Sequence, residues 1–166
     1  MRPFEGQEQQ SLCERDGDYL MRMSTFGGLM GGLKDEYLFK NGTVTGHTWT
    51  GYHSSYATYT IGSTLQANAS VGVGQVYEGA NSYVKIDADF TKYKYIHFVV
   101  TSSNGSPSIT VDGTAVSATT GTKTLDISSK TGSKTIYIRS GAVGKTTESG
   151  SVSSGITVSQ VWLSNK

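Results

Sequence analysis

The chain has 166 residues, of which 16% are charged, and its formal net charge is +1. So small a net charge gives no surface field of one sign, and we therefore expect neither nucleic acid nor a membrane as a partner. The chain contains 21 glycines, 10 tyrosines, 2 prolines and many Ser and Thr residues, which is typical of an all-β protein with many turns. The single cysteine, Cys13, excludes an internal disulfide. We recognise no secretory signal and no apolar run of about 18 residues that would predict a membrane span.

Residues 1–36 differ in composition from the rest and are interpreted as an N-terminal arm. Residues 26–33 read FGGLMGGL, in which glycine pairs separate the large apolar side chains Phe26, Leu29, Met30 and Leu33. Glycine disfavours both a helix and a strand there. One interpretation is a disordered tail. The other, which we adopt, is an arm that orders against a partner, with the four apolar side chains as its assembly anchor.

From residue 37 onward, short strands and turns predict one β-domain over residues 37–166. The first strand, residues 37–40, precedes Asn41-Gly42, a type I′ turn signal. Alternation predicts a strand over residues 55–61. A valine-rich stretch predicts another over residues 71–77, with a bulge where the phase shifts. A further strand begins at residue 82 and ends at Asp87-Ala88-Asp89.

The second half of this domain continues the same pattern. Residues 95–100 are apolar on both faces, which predicts a central strand. Residues 108–113 end in Asp112-Gly113, a hairpin signal. Strands follow at residues 124–127 and 135–139, and the last apolar positions, Ile156 to Leu163, contain a one-residue slip. About nine short strands at this spacing predict an antiparallel two-sheet sandwich, jelly-roll-like.

The residues that usually carry catalysis or bind metals show no such spacing. His47, His53 and His97 have no neighbouring carboxylate, and His97 is interpreted as a satisfied core histidine of the central strand. Residues 141–146 lack the first glycine of a phosphate-binding loop, so we predict a hairpin or loop there. We therefore expect no catalytic residue, no metal and no cofactor.

Asp87 and Asp89 leave one alternative open. With Glu78 and Asp112 they could form a calcium site. We favour solvated acids at the end of a strand.

One segment, residues 48–59, is rich in aromatic side chains and poor in charge. Tyr and Trp present flat faces to sugar rings, and they also dominate protein interfaces. The alternative is ordinary strand composition, because Tyr and Thr favour strands. The candidate ligand-binding residues are Trp49, Tyr52, His53 and Tyr56. Trp162, between two apolar residues, is predicted to lie in the core.

Five stretches resemble a known family: residues 37–42, 48–51, 86–96, 124–129 and 158–163. Together they are similar to a β-sandwich module of tail and baseplate proteins of phages that infect Firmicutes. The resemblance spans residues 37–166 and implies a β-sandwich attached to virion proteins and often considered carbohydrate-binding. It supplies no catalytic residue.

We therefore expect a non-enzymatic virion protein in the tail, the baseplate or the capsid decoration. It would be made in the host bacterium and released by lysis. The arm would bind other virion proteins or sister subunits, most plausibly in a trimer. The sandwich would bind a host-surface glycan. Two alternatives remain: a secreted bacterial carbohydrate-binding module, and a decoration protein without a ligand.

Overall fold

The computed structural model describes residues 33–166, and these form thirteen β-strands and no helix. The strands are β1 (Glu36–Lys40), β2 (Thr50–His53), β3 (Ala57–Ile61), β4 (Leu65–Val71), β5 (Tyr77–Ala80), β6 (Ser82–Asp89), β7 (Tyr95–Asn104), β8 (Ser108–Val111), β9 (Thr114–Val116), β10 (Gly121–Asp126), β11 (Ser133–Arg139), β12 (Val143–Lys145) and β13 (Val152–Ser164). Residues 34–166 form one compact unit.

Two antiparallel sheets pack against each other and enclose the core. The six-stranded sheet has the order β10-β7-β13-β4-β3, and β1 pairs with the C-terminal half of β13. The five-stranded sheet has the order β2-β6-β11-β8-β9, and β5 and β12 form a small third sheet. From β4 onward the chain crosses repeatedly from one large sheet to the other, as in a jelly-roll-like sandwich. The predicted fold class is confirmed.

Alternating apolar side chains explain why these strands bury one face. In β11, Ile136 and Ile138 are fully buried, and in β6, Val84 and Ile86 face the same core. The predicted central strand is confirmed, because β7 lies between β10 and β13. The predicted slip is also confirmed, since the pairing of β13 with β7 shifts register on both sides of Val158.

Both predicted tight turns have the backbone that their sequence requires. Asp112 and Gly113 have φ values of 50° and 76° and join β8 to β9. Asn41 and Gly42 also have positive φ, and Phe39 bridges to Thr43 across the turn. Few residues other than Gly, Asn and Asp adopt this conformation without strain.

The predicted strand over residues 71–77 is wrong. Strand β4 ends at Val71, and a loop follows in which Val73 is 74% exposed. The Gly72 N–H donates to the Gln75 side-chain oxygen at 2.7 Å, and Gly74 has a φ of +76°. The glycines thus turn the chain, and the valines beside them are not strand positions.

The assembly anchor falls mostly outside the described residues. Phe26, Leu29 and Met30 lie there, and nothing is derived for them. Leu33 is the first described residue, and its side chain is exposed.

Candidate functional site

The outer face of the five-stranded sheet carries a group of tyrosines and cations. Strands β6 and β11 alternate between buried and less buried side chains, which turns Tyr83 and Lys85 on β6, and Tyr137 and Arg139 on β11, away from the core. Tyr52 on the edge strand β2 lies directly opposite Tyr83. We call Tyr52, Tyr83 and Tyr137 the tyrosine platform.

The three rings of the tyrosine platform contact one another. Tyr52 stacks on Tyr83 with ring centres 5.4 Å apart and planes 27° apart. Tyr83 meets Tyr137 edge to face, with centres 5.3 Å apart. The three tyrosines lie on neighbouring strands that are hydrogen-bonded to each other, so the sheet backbone fixes the spacing of the rings. Tyr52 is 48% exposed and presents the open end of the platform.

Two cations lie over the third ring. The guanidinium carbon of Arg139 is 4.0 Å from the centre of the Tyr137 ring, and Lys85 Nζ is 5.8 Å from it. Both are cation–π distances. Within residues 33–166, neither cation has a carboxylate oxygen within 4.0 Å. The platform therefore combines apolar ring faces, phenol hydroxyls and positive charge on one rigid surface.

Of the four candidates named from the sequence, Tyr52 belongs to the platform and Trp49 does not. Trp49 is only 5% exposed and packs edge-on against Phe39 in the core. Its indole N–H donates to the Leu38 carbonyl at 3.0 Å. The placement of Trp49 on a surface patch is thus corrected, because its ring fills the core and its one polar atom already has a partner.

His53 and Tyr56 lie apart from the platform contacts. The His53 ring is 5.9 Å from Tyr59, and Tyr56 meets Tyr77 at 5.1 Å. The Tyr59 ring lies on the backbone of Gly51, where any side chain would collide with it. The four candidates therefore do not form one surface.

Sequence reasoning missed four residues of the site: Tyr83, Lys85, Tyr137 and Arg139. A signal was present, because each of these residues alternates with buried residues of a correctly predicted strand. What the sequence did not show is that β2, β6 and β11 are neighbours in one sheet.

A second group of aromatic rings lies on the outer face of the six-stranded sheet. Trp162 stacks between Tyr37, at 5.8 Å, and His97, at 4.6 Å. We call Tyr37, Trp162 and His97 the aromatic ladder. The expectation that Trp162 lies in the core is wrong: it is half-buried and points opposite to the buried Val161 and Leu163.

Both ring nitrogens of His97 have a hydroxyl partner. Its Nδ1 lies 2.9 Å from the Thr124 hydroxyl and its Nε2 lies 2.7 Å from the Ser164 hydroxyl. Partial burial lowers the pKa of His97, against a smaller opposing effect of Asp35. The neutral ring is therefore the favoured form. The expectation of a satisfied core histidine is right about the hydrogen bonds and wrong about the location, because His97 alternates with the buried Ile96 and Phe98 and lies on the outer face of β7.

The contact between Ser164 and His97 does not have the arrangement of a nucleophile and its base. Ser164 is 2% exposed and its hydroxyl donates to the Lys166 carbonyl at 2.8 Å, so it accepts from His97 Nε2. The other ring nitrogen faces a threonine hydroxyl and not a carboxylate.

Two of the four acids weighed as calcium ligands, Asp87 and Asp89, accept hydrogen bonds from threonine hydroxyls. Asp87 accepts from the Thr135 hydroxyl, and Asp89 accepts from the Thr91 N–H at 2.9 Å and from its hydroxyl. These bonds from Thr91 lower the pKa of Asp89. Among residues 33–166, no three His, Cys, Asp or Glu side chains converge as metal ligands would.

The stretch that superficially resembles a phosphate loop forms strand β12 and places Lys145 in the interior. The Lys145 ammonium donates to the carbonyls of Gly72, Glu148 and Gly150 at 2.6, 3.2 and 2.5 Å. The buried cation thus joins two loops through their backbone. It is a structural contact and not a phosphate site.

Comparison with protein families, with curated proteins and with solved structures finds no match to this chain. In the part of the chain that the structure describes, no helix is long and apolar enough to cross a membrane.

Proposed function

We propose that this protein is a non-enzymatic, glycan-binding β-sandwich and that the tyrosine platform is its binding surface. The observation that carries the proposal is the contact of Tyr52, Tyr83 and Tyr137 on the open face of one sheet. Sugar rings have C–H faces that stack on aromatic planes and hydroxyls that bond to phenols and cations. A tyrosine surface offers both kinds of contact together.

The geometry of the platform favours an extended glycan chain. The rings stand on three neighbouring strands, and each side chain has only two rotatable torsions, so little conformational entropy is lost on binding. An open sheet face also lets a polymer continue past the site in both directions. We therefore propose that the site accepts internal residues of a polysaccharide.

The contacts of the histidines support a protein without catalytic chemistry. His47 pairs with Glu36 at 3.2 Å, and His97 is held between two hydroxyls. His53 contacts the Ser54 carbonyl at 3.2 Å. Each therefore has a structural contact away from the tyrosine platform.

The proposed setting is a phage particle, based on the resemblance of residues 37–166 to modules of tail and baseplate proteins. In that setting residues 1–36 anchor the protein to other virion proteins or to sister subunits, and a trimer multiplies weak glycan contacts through avidity. A secreted bacterial carbohydrate-binding module is the alternative, and it would use the same platform. A decoration protein without a ligand would not bind glycans at all.

The binding test is a pair of variants measured on a glycan array and on purified cell walls of a panel of Firmicutes. Tyr52→Ala removes the open end of the platform and is expected to weaken binding about tenfold, or about 1.4 kcal/mol. Tyr56→Asn is the matched control, because Tyr56 is similarly exposed, lies outside the platform and has a φ of 59°, which asparagine tolerates. Loss of binding in Tyr56→Asn alone would place the site at Tyr56 and contradict the proposal.

The assembly part has its own test, which is the solution mass of the full chain and of residues 34–166 by light scattering. We expect a defined oligomer for the full chain and a folded monomer for the shorter one. Two soluble monomers of equal stability would overturn the anchoring role, and the free-standing binding module would then be favoured.

A further inference from the structure

We propose that the platform selects acidic glycans, and that Arg139 and Lys85 bind the carboxylate of a uronic acid residue. This inference rests on the proposed function and names the ligand class of the same site. It depends on where the two cations lie, because a platform for neutral sugars needs only the rings.

Both cations converge on one ring from adjacent strands. Lys85 on β6 lies directly opposite Tyr137 on β11, and Arg139 is two residues further along β11 on the same face. Their charged groups lie 5.8 and 4.0 Å from the same ring centre. Two positive charges beside one ring give this part of the face a positive potential, which favours an anion there.

No acid of the described residues already neutralises the pair. Within residues 33–166, neither cation has a carboxylate within 4.0 Å. Asp87, two residues from Lys85 on the same face of β6, accepts a hydrogen bond from the Thr135 hydroxyl. Two other lysines are different in this respect: Lys130 and Lys134 both pair with Asp112, at 3.1 and 3.5 Å.

The spacing suits a short segment of a polysaccharide. Tyr52, Tyr83 and Arg139 lie in one row across three adjacent strands. Neighbouring strands are about 4.8 Å apart, so the row from Tyr52 to Arg139 spans about 10 Å. Two linked sugar residues cover that distance, with one ring at Tyr52 and the charged group of the next at Arg139.

A planar carboxylate is the favoured anion. The guanidinium carbon of Arg139 lies 4.0 Å from the Tyr137 ring centre, and a guanidinium can donate two N–H groups together to one planar carboxylate. A nucleic acid is disfavoured, because the net charge is +1 and just two cations of residues 33–166 lie at this ring.

The experiment compares two polymers with the same sugar backbone, one with charged carboxylates and one with neutral methyl esters. Polygalacturonate and its methyl ester are titrated into the full-length protein by calorimetry at low and at moderate salt. We expect the wild type to bind polygalacturonate at least tenfold more tightly, with a preference that shrinks as salt increases. Dextran phosphate against dextran is a second pair that reports phosphate recognition.

Three variants test whether Arg139 and Lys85 cause the preference for polygalacturonate over its methyl ester. Arg139→Gln is expected to reduce the preference for polygalacturonate to less than threefold, while binding of the methyl ester changes by less than twofold. Lys85→Gln is the second variant and is expected to halve the preference at least. Lys40→Gln is the matched control, since Lys40 lies over Tyr37 at 4.2 Å on the other sheet and its loss changes the net charge equally.

The outcomes separate the inference from the proposed function. Equal binding of polygalacturonate and its methyl ester would overturn the inference alone. An equal loss of preference in Lys40→Gln and Arg139→Gln would also overturn it, because the effect would then come from total charge. A preference for dextran phosphate without one for polygalacturonate would replace the carboxylate by a phosphate and contradict the proposal. Binding of none of the polymers would contradict the proposed function as well.

Discussion

The two outer faces of the sandwich carry similar aromatic groups, which differ in how far their rings are exposed and in which polar groups have partners. In the aromatic ladder, Trp162 is covered by Tyr37 on one side and by His97 on the other, and both His97 nitrogens have hydroxyl partners. In the tyrosine platform, Tyr52 is 48% exposed and two cations lie beside the rings. Aromatic content alone therefore does not distinguish the two groups. The exposed ring of Tyr52 and the two cations beside Tyr137 do, and they are the reason why the platform is proposed as the binding surface.

The largest effect that separates the two groups is expected for Trp162→Ala. The variant removes a half-buried ring with two stacking partners, so the free energy of unfolding should fall by about 2–3 kcal/mol, less than the 3–5 kcal/mol of a fully buried tryptophan. Glycan affinity should change by less than twofold. Denaturant unfolding and calorimetric titration of the same preparation give both values. A loss of affinity in a folded Trp162→Ala protein would place the binding surface on the ladder.

The reverse pattern is expected for Tyr52→Ala. Because this ring is on an edge strand and is half exposed, its removal should lower the free energy of unfolding by less than about 1 kcal/mol. Affinity should fall about tenfold, as set out above. If Tyr52→Ala destabilised the fold as strongly as Trp162→Ala, the platform would have a structural role like that of the ladder.

The fold follows from the sequence wherever a turn signal or an apolar alternation is strong. Asp112-Gly113 adopts the positive φ values that a tight hairpin needs, and β11 alternates as predicted. Strand β4, with the sequence LQANASV, was not recognised, because its buried positions include alanines, which are poor strand formers. Strand β4 therefore forms because its buried face packs between the two sheets, and not because its residues favour a strand on their own.

The candidate site was less predictable, since it depends on which strands are neighbours. The sequence suggested one contiguous segment, whereas the platform joins Tyr52, Tyr83 and Tyr137 from three separate strands. The alternation around Trp162 contained the correct signal, because a residue between two inward positions of a strand must face outward. Trp49 lies just before β2, where no periodicity indicates its burial.

The pH dependence of stability should also distinguish the ladder from the platform. Burial lowers the pKa of His97 in the folded protein below its ordinary value of 6.5, so below that pH the unfolded chain binds a proton that the folded one does not. Stability is therefore complete above pH 6.5 and falls as the pH decreases towards the folded pKa. His97→Gln should flatten this decrease between pH 7 and pH 5, measured as the thermal midpoint at each pH.

A control for this test is the affinity of the platform over the same pH range. It should change equally in the wild type and in His97→Gln, because His97 lies on the opposite sheet. A decrease in stability that is as steep in His97→Gln as in the wild type would show that other groups cause it.

The smallest effects are expected for the two lysines that lie over tyrosines. Lys40 is 4.2 Å from the centre of the Tyr37 ring in the ladder, and Lys85 is 5.8 Å from that of Tyr137 in the platform. An exposed cation–π contact is worth about 0.5–1 kcal/mol. Lys40→Gln should therefore lower the free energy of unfolding by no more than that and leave affinity for polygalacturonate unchanged. Lys85→Gln should leave stability within the same limit and weaken that affinity two- to threefold.

Because each variant removes one positive charge from the chain, total charge cannot account for a difference between them. If Lys40→Gln weakened polygalacturonate binding as much as Lys85→Gln did, the two faces would be equivalent in function and the distinction between ladder and platform would be lost.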